Sequence, residues 1–147
     1  MLIRVQQQDF DIAGVNRELC TGRSDIGAIA NFIGLVRDLP QNHLQKMTLE
    51  HYPGMTEKSL TKIVETAQSR WEILDVAIIH RVGDLKPADQ IVLVSVVSAH
   101  RKAAFAACEF IMDYLKTDAP FWKKETGEQG ESWVEAKASD SEARGKW

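Results

Sequence analysis

Residues Gln90–Ser98, QIVLVSVVS, constrain the fold of this chain more than any other stretch. Successive side chains of a strand point to opposite faces, and from Ile91 to Val97 both faces are largely apolar. Such a strand is stable only where neither face meets water, so it reads as the central strand of a sheet. It is no membrane span, because the run is about a third of the roughly 20 residues a spanning helix needs.

The rest of the chain supplies partners and cover for that strand. Leu2–Gln6 alternates and predicts a short strand. Residues 9–19 read weakly as a helix, followed by a turn at 21–24. Residues 27–36 (GAIANFIGLV) predict a second strand, with Gly34 as a bulge or a point of close approach. The polar, proline-containing stretch 38–45 predicts a mobile loop, and 46–52 a further strand. Leu60, Ile63, Val64, Ala67 and Trp71 recur at helical spacing, with Thr56 as the expected N-cap. Strands are expected over 74–82 and 90–98, joined by 83–89. A second main helix is expected over 99–116, capped by Ser98, with Phe105, Cys108, Met112 and Leu115 as its core stripe. Pro120 ends it, and 121–125 with 131–136 predict a hairpin over residues 126–130. The tail from 139 reads as a loose helix ending on an exposed Trp147. At 147 residues, without repeats or a linker, the whole chain 1–147 reads as one α+β domain, two main helices packed on a mixed sheet.

Composition narrows the function classes. With 18 Lys+Arg against 21 Asp+Glu the net charge is −3, which argues against a general nucleic-acid binder. The first residues, MLIRVQ, lack a basic segment followed by an apolar one, so a cytoplasmic protein without a signal peptide is expected. Cys20 and Cys108 form no CxxC spacing and read as reduced thiols, Cys108 in the apolar seam of its helix. His43, His51, His80 and His100 are scattered, so no metal site is expected. The GxSxG, P-loop and GxGxxG motifs are absent.

What stands out is a set of cations beside apolar elements. Arg37 ends a strand, His100 and Arg101 open a helix, Lys116 closes it, and Lys123-Lys124 follow Phe121-Trp122. Each has an ordinary reading: a strand exit for Arg37, a helix C-terminal charge for Lys116, an exposed strand for Lys123 and Lys124. A His-Arg pair at a helix start is electrostatically awkward without an anion. In an acidic protein, the set together predicts a small anionic ligand.

At these positions the chain also resembles a known family, the large, catalytic subunits of molybdopterin synthase. The matching stretches are Phe32-Ile-Gly-Leu-Val-Arg37, Leu49-Glu-His-Tyr-Pro-Gly-Met-Thr-Glu57, His80-Arg-Val-Gly-Asp84, Ser98-Ala-His-Arg101, Ile111 through Glu125, and Trp133-Val-Glu-Ala136. They span almost everything from Gly27 onward; residues 1–26 match only loosely. The resemblance implies an α/β-hammerhead fold and a sulfurtransferase activity without a cofactor. The implied substrate is a cyclic pyranopterin monophosphate, and the implied product carries the dithiolene of molybdopterin. Sulfur would come from the C-terminal Gly-Gly thiocarboxylate of a small ubiquitin-like partner, in a heterotetramer built on a homodimer of large subunits. Carried over position by position, substrate contacts fall on Leu35, Val36, Arg37, His100, Arg101, Lys116, Lys123, Lys124 and Glu125. Lys116 and Lys123 match the catalytic lysines, and no cysteine of this subunit takes part. A reading of another class stays open beside it: a non-catalytic anion- or nucleotide-binding α+β module.

Overall fold

The computed structural model describes residues 1–38, 43–128, 130–135 and 137–147. Positions 39–42 of the expected loop, Gln129 of the expected turn and Ala136 of the expected last strand lie outside the described residues. The elements are β1 Leu2–Gln6, α1 Ile12–Cys20, β2 Ala28–Leu35, β3 Leu44–His51, α2 Met55–Arg70 and β4 Asp75–Arg81. They continue with β5 Gly83–Leu85, β6 Gln90–Ser98, α3 Arg101–Asp118, β7 Phe121–Gly127, β8 Gly130–Val134 and α4 Ala138–Gly145.

The strand apolar on both faces takes the place its sequence requires. β6 lies between β4 and β2 in a sheet of order β1-β4-β6-β2, in which β1 runs parallel to β4 and the other pairs are antiparallel. Val92, Val94 and Val96 enter the main core beneath α2 and α3. Leu93 and Val97 enter a second cluster with Phe10, Val15 and Leu19, from α1 and the segment before it. The weakly legible first helix is therefore needed as cover for the other face. Ser95, the polar interruption, is fully buried and donates its hydroxyl to Asn16 Oδ1 at 2.7 Å. Gly34 marks the register shift of β2 against β6, and a Cβ there would stand 2.9 Å from the Val92 side chain.

The α+β class and the two main helices are as expected, but the strands divide between two sheets. The second has the order β5-β3-β7-β8 and is antiparallel throughout. It closes over Val36, Leu44, Met47, Leu49, Val82 and Leu85. Its smallest strand, β5, falls in the stretch read as a plain connection, because three residues are too few to show alternation.

Four local expectations need correction. The N-cap of α2 is Gly54, at φ 85°, whose amide donates to Glu57 Oε2 at 2.7 Å. Thr56 instead accepts a hydrogen bond from the Tyr52 amide and donates one to the Pro120 carbonyl at 2.9 Å, tying the helix start to the segment before β7. His100, not Ser98, caps α3; the Ser98 hydroxyl donates to the Glu72 carbonyl. Phe105 is 68% exposed, and α3 buries Ala104, Ala107, Cys108, Phe110, Ile111, Met112 and Leu115. The two alanines let the helix lie close on the sheet, which turns Phe105 outward. Finally, Trp147 is not exposed. Its ring meets Trp71 and Phe110 edge-on, each at 5.6 Å between centroids, and its Nε1 donates to Asp113 Oδ2.

Candidate functional site

The site forms where α3 gives way to β7. Lys116 lies in the last turn of α3, exposed, at the helix end that favours a cation. After Pro120 the chain pairs with β3 and its side chains alternate. Phe121, Lys123 and Glu125 stand opposite His51, Leu49 and Met47. Leu49 and Met47 are buried in the second sheet's core, so Lys123 and Glu125 share that inner face and are half-buried. Burial holds the Lys123 ammonium below the ordinary lysine range; the Lys116 charge adds to this and the Glu125 carboxylate opposes it. The two lysines thus sense one another across the α3–β7 break.

Lys124 points the other way. It pairs with Glu131 at 3.7 Å and lies 5.6 Å over the Trp133 ring, on the outer face of the sheet. Leu35 and Arg37 are exposed at the end of β2, and Val36 between them is buried. Its amide donates to the Asp89 carbonyl and its carbonyl accepts from Ala88. Because Val36 packs in the same cluster as Leu49 and Met47, Arg37 leaves the first sheet beside the cluster that underlies Lys123. His100 and Arg101 are exposed at the opposite end of α3. The chain therefore brings together Lys116, Lys123 and Glu125, leaves Arg37 exposed where β2 ends, and keeps His100 and Arg101 apart at the far end of α3.

One buried group at this centre was not singled out from sequence. His80 continues the inward row of Val76 and Ile78 on β4 and is 5% exposed. Its Nδ1 donates to the Arg81 carbonyl at 2.8 Å, which leaves Nε2 with the lone pair. Its ring stacks on Phe121, with centroids 3.8 Å apart and planes at 17°. Burial pushes its pKa down to about 4, and the charges of Lys116, His51 and Lys123 push the same way, against the Arg81 hydrogen bond. A lone histidine ending an apolar strand carries no sequence signal of such a place. Among the described residues, no group of three or more His, Cys, Asp or Glu could hold a metal ion.

The depressed His80 value carries a stability consequence. The folded chain prefers the uncharged ring, so this contribution is full above pH 6.5 and is lost as pH falls towards 4. Acidification through that window is expected to destabilise the fold by on the order of 3 kcal/mol. Thermal unfolding at pH 7.5 and pH 4 would measure it, and His80→Phe should remove most of the pH-dependent loss.

The thiols make a second check on the site. Both cysteines are free, and burial pushes the Cys108 thiol up to about 11, the state of an inert core residue. Cys20→Ser and Cys108→Ala are expected to retain activity, the latter losing about 1 kcal/mol of stability to a small cavity. Under the sulfur transfer that the family resemblance implies, a persulfide trapped on either cysteine would contradict this.

The fold and this lysine pair define a two-sheet α+β protein with a cationic site at a helix–strand junction. The chain belongs to the MoaE family, whose model, described as MoaE protein, matches residues 5–118. The molybdopterin synthase catalytic subunit of Ralstonia nicotianae is 57% identical over 146 residues, covering 99% of this chain and 83% of that protein. The solved molybdopterin biosynthesis MoaE protein of Burkholderia ambifaria is 55% identical and superposes with a TM-score of 0.86, covering 99% of this chain and 97% of its own. A complex of subunits 1 and 2 of the molybdopterin-converting factor of Helicobacter pylori shares the fold, at 19% identity and a TM-score of 0.77, over 92% of this chain and 91% of that one. The family resemblance read from the motifs is thereby borne out. Lys123–Glu125 lie beyond the family-model match but within the span of the longer relatives.

Proposed function

We propose that this chain acts as a sulfurtransferase. As the catalytic subunit of a molybdopterin synthase, it moves sulfur from the C-terminal thiocarboxylate of a small ubiquitin-like partner onto cyclic pyranopterin monophosphate. The observation that carries this reading is the half-buried Lys123 within electrostatic reach of Lys116, in a chain whose overall charge is negative. The R. nicotianae relative supports the synthase assignment, and the H. pylori complex supports a small partner subunit. Attack of a thiocarboxylate on the pterin side chain develops negative charge on oxygen. An ammonium at that point stabilises the charge or protonates the leaving oxygen. Lys123 gives up its proton more readily than an ordinary lysine does, because burial and the Lys116 charge weaken its hold on it. Arg37 and Arg101 offer the fixed cations, and His100 an N–H donor, that a phosphate requires. We assign the whole chain to one domain, working in the cytoplasm as a homodimer within a heterotetramer.

Reconstitution tests the proposal. The purified chain, mixed with thiocarboxylated partner and the pterin precursor, should yield the dithiolene product; ligand binding without product would leave the non-catalytic module. Within that assay Lys123→Ala is expected to lose activity by about a hundredfold or more. Lys124→Ala should be much milder, since its side chain leaves the opposite face of β7 towards Glu131. Equal losses in the two variants would remove the inner face of β7 as the reacting surface.

A further inference from the structure

The sulfur-transfer reading accounts for the lysines but leaves unused the buried imidazole beside them. We propose that His80 is a positioning residue for that reaction: its ring, locked by the Arg81 carbonyl and stacked on Phe121, fixes the start of β7 and so the placement of Lys123 relative to Lys116. The inference rests on the proposed function for its consequence in activity, and on geometry alone for its structural half.

Three observations carry it. Only residues 119–120 separate α3 from β7, so the relative placement of the two lysines depends on how the chain is held just after the helix. One hold is the hydrogen bond from the Thr56 hydroxyl to the Pro120 carbonyl. The next is Phe121, two residues before Lys123 and therefore on the same face of β7, whose ring lies 3.8 Å from that of His80. His80 belongs to the first sheet and Phe121 to the second, so this stack joins the two sheets beside the lysines. The 2.8 Å bond from Nδ1 to the carbonyl of Arg81 fixes the plane of the imidazole. A phenyl ring in its place would keep the stacking surface without that lock. The histidine is uncharged when folded, so it neither repels the lysines nor competes with them for an anion.

The groups around the stack include His51, in register with Phe121 and 3.7 Å from Glu57, together with Lys116, Lys123 and Glu125. Lys137 and Asp140 also act on the Lys123 charge. A displaced Phe121 would open this neighbourhood to water, and the Lys123 ammonium would return towards the ordinary lysine range.

The test compares His80→Ala, Phe121→Leu and His80→Phe with the unaltered protein. Two readouts are followed: kcat and KM in the reconstituted reaction, and the titration of the Lys123 side chain by carbon-13 NMR. The first two variants are expected to lose roughly ten- to a hundredfold in kcat, as misplacement of a reacting group does, with KM little changed. Their Lys123 titration should move upward, and His80→Phe, which keeps the stack but not the Arg81 lock, should recover only part of both properties. Unchanged kcat and unchanged Lys123 titration in Phe121→Leu would overturn the proposal, as would a loss confined to KM. Should His80→Ala fail to fold, Phe121→Leu decides the matter by itself. Should the unaltered protein form no dithiolene product, the sulfur-transfer reading falls, while the Lys123 titrations still decide whether the stack positions that lysine.

Discussion

Lys116→Ala is expected to abolish product formation while the chain remains folded. The side chain is exposed in the last turn of α3 and is not among the core residues of that helix, so its removal forms no cavity. The stability cost is the loss of a cation at a helix C-terminus, about 0.5 kcal/mol. Its chemical cost is far larger. An ammonium facing a developing oxyanion in a partly desolvated site contributes about a hundredfold or more to the rate. Lys116 is also one of the charges that hold Lys123 below the ordinary lysine range. The alanine variant therefore loses one group and retunes the other, so the loss should exceed that of any exposed cation outside the site. Lys46, paired with Asp84 on the outer face of β3, makes a suitable comparison. Product formation and thermal unfolding measured on the same preparation check both halves. Near-normal turnover in a folded Lys116→Ala protein would remove Lys116 from the chemistry.

The parts of this fold that were legible in the sequence are those where one residue type repeats over a face. β6 declared itself because its apolar residues fill both faces, and α2 because its stripe of Leu60, Ile63, Val64 and Ala67 is buried as spaced. The alternation of Lys123 and Lys124 was legible for the same reason, and the register of β7 against β3 agrees with it. The features that escaped depend on contacts between distant segments. Phe105 outweighs Ala104 and Ala107 in any hydrophobic pattern, yet the alanines face the sheet because close packing there leaves no room for a larger side chain. Trp147 is flanked by Gly145 and Lys146 and looks solvated; only the fold brings Trp71, Phe110 and Asp113 to it. His80 gains its meaning from Phe121, 41 positions later and in the other sheet. Local patterns specify elements, whereas the junction of the two sheets that makes the site is a property of their assembly.

The continuous α3 carries a prediction about where a complete site can form. His100 caps the helix and Lys116 lies in its last turn, so their backbones are separated by about 24 Å at 1.5 Å per residue. α3 is one unbroken helix from Arg101 to Asp118, without a proline to bend its ends together. A pterin monophosphate is about half that length, and side chains reaching along one helix do not close the gap. If both ends serve the substrate, as the family resemblance implies, they must come from different protomers. In the proposed dimer, His100 and Arg101 of one copy would hold the phosphate for Lys116 and Lys123 of its two-fold mate, giving two equivalent sites. Mixing an Arg101→Ala chain with a Lys116→Ala chain separates this arrangement from a site within one chain. Each homodimer should be inactive, having lost the same group from both sites. A heterodimer places both defects in one site and leaves the other intact, so about half the activity of an unaltered dimer should return in purified heterodimers. If the site is complete within one chain, every site of the heterodimer carries one defect, and no activity returns.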